Sequence, residues 1–136
     1  MSENDVETGT IFCLEDLNPG VYFDMEGGGR VCLRICAGDD LRVIKKQSTK
    51  NKIEYRSGQR ISYTVTDEDL ENSLLWDFCI VNWENFFDAN KNPIPCTPDT
   101  KNLLMGKSIK FSRFISECLE TLTAVEKDSE EKSEKN

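Results

Sequence analysis

Three of the chain's four prolines, Pro93, Pro95 and Pro98, crowd into six residues just after an aromatic cluster, and they leave that backbone little choice. Pro93 and Pro95 force Asn92 and Ile94 into extended conformations, because the proline ring clashes with a helical residue before it. Ahead of them, Asp88-Ala89-Asn90-Lys91-Asn92 has turn chemistry. Trp83, Phe86 and Phe87 supply the apolar side of the same stretch. Thr97 then suits a helix N-cap, and Pro98 suits the first helical position, where its missing N–H would have no partner anyway. Residues 81–99 therefore read as a compact connector between two helical regions.

The flanking patterns agree with that reading. Thr66-Asp67-Glu68-Asp69 offers a cap and an acidic first turn, and Leu70, Leu74, Leu75, Phe78 and Val81 recur at helical spacing, which predicts a helix over residues 67 to about 81. Trp76 lies off that stripe. It either packs under the connector, the preferred reading, or stays partly exposed for a partner. After the connector, Pro98–Met105 predicts a short helix stopped by Gly106, and Ser108 can cap a last one. Phe111, Phe114, Ile115, Cys118, Leu119 and Leu122 form its continuous apolar stripe.

Upstream, the period changes to two. Val21–Met25 and Arg30–Cys36 flank Glu26-Gly27-Gly28-Gly29, and Val31, Leu33 and Ile35 share one face of the second run. Asp39 or Asp40 can cap a short helix ending near Gln47. A second hairpin follows, Ile53–Arg56 and Arg60–Val65 around Ser57-Gly58-Gln59, with Ile61, Tyr63 and Val65 on one face. Two hairpins suggest a four-stranded antiparallel sheet with three helices across one face, an α+β domain over residues 11–125. Ile11–Leu14 reads as an edge strand or clasp. Residues 1–10 read as a disordered lead, and residues 126–136, all Glu, Lys, Asp, Ser and Asn, as a disordered charged tail.

Composition removes several function classes. With 25 acidic against 17 basic side chains the formal charge is −8, which repels both a phosphate backbone and an anionic lipid surface, so neither nucleic acid nor membrane is an expected partner. The start of the chain lacks the basic and apolar regions of a signal peptide, and a cytoplasmic protein is expected. Lys45, Lys46, Lys50, Lys52, Arg56 and Arg60 make one locally basic region. A solvated loop over Ser48–Lys52 is the preferred reading, and a contact for an acidic partner the alternative. The six irregularly spaced cysteines sit mostly in apolar patterns and read as reduced core residues.

Chemistry is sparsely supplied. The chain has no histidine, which removes the commonest general base and the commonest catalytic zinc ligand. Glu84 and Asp88 could pair as glycosidase-type acids, but capping and turn roles explain them better. Cys32 and Cys36 on one strand would stand roughly 13 Å apart at about 3.3 Å per residue, too far for one small ion. The glycines at 27–29 precede a strand and lack the lysine of a phosphate loop. No catalytic residue, cofactor or metal is expected, and a binding protein is the natural class, with Trp76, Trp83, Phe86 and Phe87 as candidate contacts.

The succession Trp83, Glu84, Phe86, Phe87, Asp88, a turn, Pro93, Pro95, Thr97 and the paired Leu103 and Leu104 resembles a family of tail assembly chaperones of tailed phages, often prophage-encoded. The resemblance covers about residues 76–122 and is looser over 20–75. One departure is Asn92, where the family usually has glycine before the first proline; asparagine tolerates positive φ better than other side chains. The resemblance implies a variable β-rich front half and a helical end. It also implies a non-enzymatic protein of the host cytoplasm that coats the tape measure protein and recruits tail tube subunits during tail morphogenesis, with a homo-oligomer left open. The alternative is a structural component of a tail or head that stays in the particle.

Overall fold

Strand β2, Arg30–Leu33, is where the molecule is most deeply buried, with Val31 and Leu33 wholly inaccessible to solvent. The computed structural model describes residues 9–10 and 17–135, with side chains through residue 125. The expectations for the first eight residues and for Ile11–Leu14 lie outside the described residues. β1, Val21–Asp24, pairs antiparallel with β2, Val21 facing Leu33 and Asp24 facing Arg30. The fold is α+β, as expected, but the expected four-stranded sheet does not form. The third strand of this sheet is β5, Ile80–Glu84, giving the order β1-β2-β5. The second hairpin, β3 (Thr49–Arg56) and β4 (Gln59–Thr66), forms a separate two-stranded ribbon.

The correction has a local cause. A helix over residues 67–81 would have left the far edge of β2 unpaired and Ile80 outside the core. Instead helix α2 runs Glu68–Cys79, capped by the Asp67 carboxylate on the Leu70 N–H at 3.1 Å, and the chain then turns extended. The Arg34 N–H reaches the Cys79 carbonyl at 2.9 Å, and β5 continues antiparallel along β2. The ladder slips between Cys32 and Leu33, so that Val81 is an extra residue in β5. Ile80 and Trp83, three apart, would face opposite ways in a regular strand; the bulge turns both toward the core, beside Leu33 and Val31.

Helix α4, Ile109–Lys135, covers that face with Phe111, Ile115 and Cys118 buried and Phe114, Leu119 and Leu122 packed beside them, the stripe read from sequence. The charged tail beyond Glu126, expected to be disordered, keeps a helical backbone to Lys135, in line with the good helix propensity of Glu and Lys. Between α2 and α4 lies α3, Pro98–Lys107. Gly106 does not stop it; the helix ends at Ser108, whose N–H bonds the Leu104 carbonyl while its hydroxyl caps α4 through the Phe111 N–H at 3.1 Å. Lys101 pins α3 to α2, with its buried ammonium donating to the Asp77 carboxylate at 3.0 Å and the Asp77 carbonyl at 3.1 Å.

Helix α1, Asp39–Ser48, leads into the ribbon. Its cap position is Gly38, at φ 53°, and Asp39 and Asp40 lie inside its first turn instead of capping it. The segment after Ser48 is strand, not the solvated loop expected, since Lys50 and Lys52 pair with Val65 and Tyr63. Among the described residues no helix is long and apolar enough to cross a membrane.

Candidate functional site

The connector folds back on the end of the three-stranded sheet and builds an open groove there. Its foundation is Trp83, held by β5 and only 6 % exposed, whose indole N–H donates to the Ile94 carbonyl at 2.7 Å. Asn85, at φ 60°, turns the chain out of β5, and Phe86 stacks on Trp83 with ring centroids 5.1 Å apart. Phe111 of α4 meets both rings edge-on at 6.0 Å. Gly29 makes this possible: a β-carbon there would stand 2.7 Å from the Phe86 ring.

Beyond Phe86 the backbone forms a small hairpin closed by the Ile94 N–H on the Phe86 carbonyl at 2.8 Å and a bridge between Phe87 and Pro93. Asp88 organises its tip. Its carboxylate accepts from the N–H groups of Asn90 at 2.8 Å and Asn92 at 3.0 Å, an Asx-type turn. The positive φ falls on Lys91, at 64°, and not on Asn92. The departure from glycine at residue 92 therefore imposes no backbone strain. Thr97 and Thr100 then form a reciprocal capping box that starts α3.

The groove left between these parts has a volume of about 270 Å³ and walls of Met25, Phe86, Phe87, Ile94, Leu104 and Phe111, with Glu26 and Lys110 on its rim, 4.0 Å apart. Phe87 stands at its lip, 55 % exposed. Such a space admits one or two apolar side chains of a partner with charged groups at its mouth.

Of the four candidate contacts, the structure therefore gathers three. Trp83 is the buried foundation, Phe86 the wall and Phe87 the open lip. Trp76 is elsewhere: half-buried on α2, it lines a second, more enclosed cavity of about 310 Å³ with Ile35, Cys36, Cys79, Ile115 and Leu119. Met25, Ile94, Leu104 and Phe111 were missed as groove residues because they come from four separate elements. Gly29 was the available signal, since a glycine that opens a strand often marks a close approach by another group.

Neither carboxylate of the Glu84 and Asp88 pair is placed for proton transfer. Glu84 pairs with Arg30 across the sheet at 3.6 Å, and Asp88 is used by its turn. Burial pushes the thiols of Cys32, Cys36, Cys96 and Cys118 above their ordinary range, and that of Cys79 up to about 11. Neutral thiols are poor nucleophiles and poor metal ligands. Among the described residues no three His, Cys, Asp or Glu side chains converge to hold a metal ion. Comparison with family models, with curated proteins and with solved structures gives no match to this chain.

Proposed function

We propose that this chain is a non-enzymatic tail assembly chaperone of a tailed phage or prophage, working in the host cytoplasm. It holds the tape measure protein through the connector groove and helps recruit tail tube subunits around it. The supporting sequence feature is the succession from Trp83 to Leu104. The structural observation that carries the reading is Phe87, a large aromatic left 55 % exposed at the lip of an apolar groove. Aromatic anchors on a rigid platform carry binding energy with little ordering cost, and Trp83 and Phe86 provide the platform. The chain's net charge of −8 helps keep a protein with exposed apolar surface in solution.

Co-expression with the tape measure protein encoded beside it tests the reading. The soluble yield of the tape measure protein rises with the wild-type chain, and Phe87→Ser weakens the complex by about tenfold, or roughly 1.4 kcal/mol, in a pull-down titration. An unchanged yield with the wild-type chain would sink the proposal.

A further inference from the structure

Every residue of β4 is exposed, and among the described residues β4 pairs with β3 alone, leaving its other edge open. The polarity of that edge follows from the register. The Asp67 N–H donates to the Ser48 carbonyl at 2.8 Å, just beyond the pair Thr49–Thr66. Antiparallel ladders alternate, so Val65, Tyr63 and Ile61 exchange their backbone bonds with Lys50, Lys52 and Glu54, whereas the N–H and C=O groups of Ser62 and Thr64 point away from β3. The two edges are protected differently. β3 carries Lys50, Lys52, Glu54 and Arg56, the kind of charge that keeps an edge strand from pairing, whereas Ile61–Thr66 carries no charge at all.

We propose that the β4 edge is a self-pairing surface, on which two copies of this chain join antiparallel about a two-fold axis through Tyr63 to make a four-stranded sheet, β3-β4-β4-β3. The strand is self-complementary in that register. Ile61 faces Val65 of the second copy, Tyr63 faces Tyr63, and Ser62 and Thr64 exchange the backbone bonds they otherwise give to water. Charge selects the same arrangement. Antiparallel pairing brings the cationic tip of one ribbon, Arg56 and Arg60, against the base of the other, where β4 runs into the cap Asp67 and into Glu68 and Asp69 of α2. Pairing through β3 in a register centred on Asn51 would instead set Lys50 of one copy against Lys52 of the other. The register also leaves Lys50 and Lys52 on the outer strands, guarding the new edges. This inference stands independently of the tail reading.

Sedimentation velocity of the full chain between about 1 μM and about 1 mM tests it, since an exposed strand pair without a large apolar core belongs in that affinity range. The expected result is a reversible monomer–dimer equilibrium, with the Ser62 and Thr64 amides gaining hydrogen-exchange protection as concentration rises. Thr64→Pro removes an outward N–H without touching the β3 ladder, and Tyr63→Lys sets two ammonium groups face to face. Each raises the apparent dimer Kd by at least about tenfold, or 1.4 kcal/mol, with the far-UV circular dichroism of the monomer retained. A wild-type chain that stays monomeric throughout overturns the proposal. So does a dimer that both variants leave unchanged, or a monomer that binds an acidic β-forming peptide along β4 in place of its own copy.

Discussion

The two hairpins have much the same sequence character and opposite fates. β1–β2 and β3–β4 are both short antiparallel pairs around glycine-containing loops, and both show alternating apolar residues. In the first, β2 gains a second neighbour in β5 and a helix across its face, and Val31 and Leu33 disappear from solvent. In the second, Ile61, Tyr63 and Val65 share a face yet stay exposed, because among the described residues no helix covers them and no third strand joins them. Alternation thus specifies a half-apolar surface and leaves open what will cover it. Burial of a hairpin depends on elements that arrive from elsewhere in the chain, here residues 80–84 and 109–122.

The sharpest way to break that contrast is to remove the same side chain from both regions. Ile80→Ala, in the wholly buried site of β5, should lower the unfolding free energy by about 3 kcal/mol, as large-to-small changes in cores do, while Ile61→Ala changes it by less than about 0.5 kcal/mol. Urea titrations followed by tryptophan fluorescence measure both. Equal losses would place the ribbon inside the cooperative core and end the distinction.

Alkaline titration separates the regions next. Burial holds the Cys79 thiol up at about 11, whereas the unfolded chain ionises its thiols near the ordinary value of 9. The stabilisation from keeping Cys79 neutral is complete below about pH 9 and is lost as pH climbs toward 11. It amounts to at most about 3 kcal/mol. The stability difference between wild type and Cys79→Ala should shrink over that window, and a difference that is flat with pH would mean the thiol is as accessible as any surface group.

The loops give a smaller contrast. Gly29→Ala drives a β-carbon into the Phe86 ring, and overpacking of that kind costs about 1.5 kcal/mol of global stability. Gly58→Ala strains the ribbon's two-residue turn, where φ is 78°, but meets nothing within 4 Å. It should appear only as faster amide exchange in β3 and β4, with the global denaturation midpoint unmoved. Smallest of all is excision. Ser48 and Asp67 are already joined by a backbone hydrogen bond, so replacing Thr49–Thr66 with a short Gly-Ser link should shift stability by under about 0.5 kcal/mol. A collapse of the thermal transition on excision would show that the ribbon supports the body.

How far the sequence could be read follows the same division. The stripe from Phe111 to Leu122 and the caps at Thr97 and Ser108 were legible because each depends on residues within one or two turns of each other, while the cap of α2 fell on Asp67, one residue later than the start read from Thr66. The end of α2 was not. Ile80 and Val81 continue a helical spacing, and only the unpaired edge of β2, some fifty residues earlier in the chain, makes strand the better state for them. The connector was legible as a turn between aromatics, through Asp88, Pro93 and Pro95, but the groove beside it was not. Its walls need Met25, Leu104 and Phe111 to meet, and nothing local to any of them records the others.

By itself the sequence determined an α+β chain with two hairpins, capped helices, a proline-fixed connector and no histidine with which to move protons. Those properties are local, set by backbone sterics, side-chain period and composition. The tertiary structure alone decided which hairpin would be buried, that a bulge at Val81 would turn both Ile80 and Trp83 inward, and that Phe87 rather than Trp83 would be left facing water. Such choices rest on competition among distant segments for the same apolar surface and the same unpaired strand edge, and that competition is settled only when the segments meet.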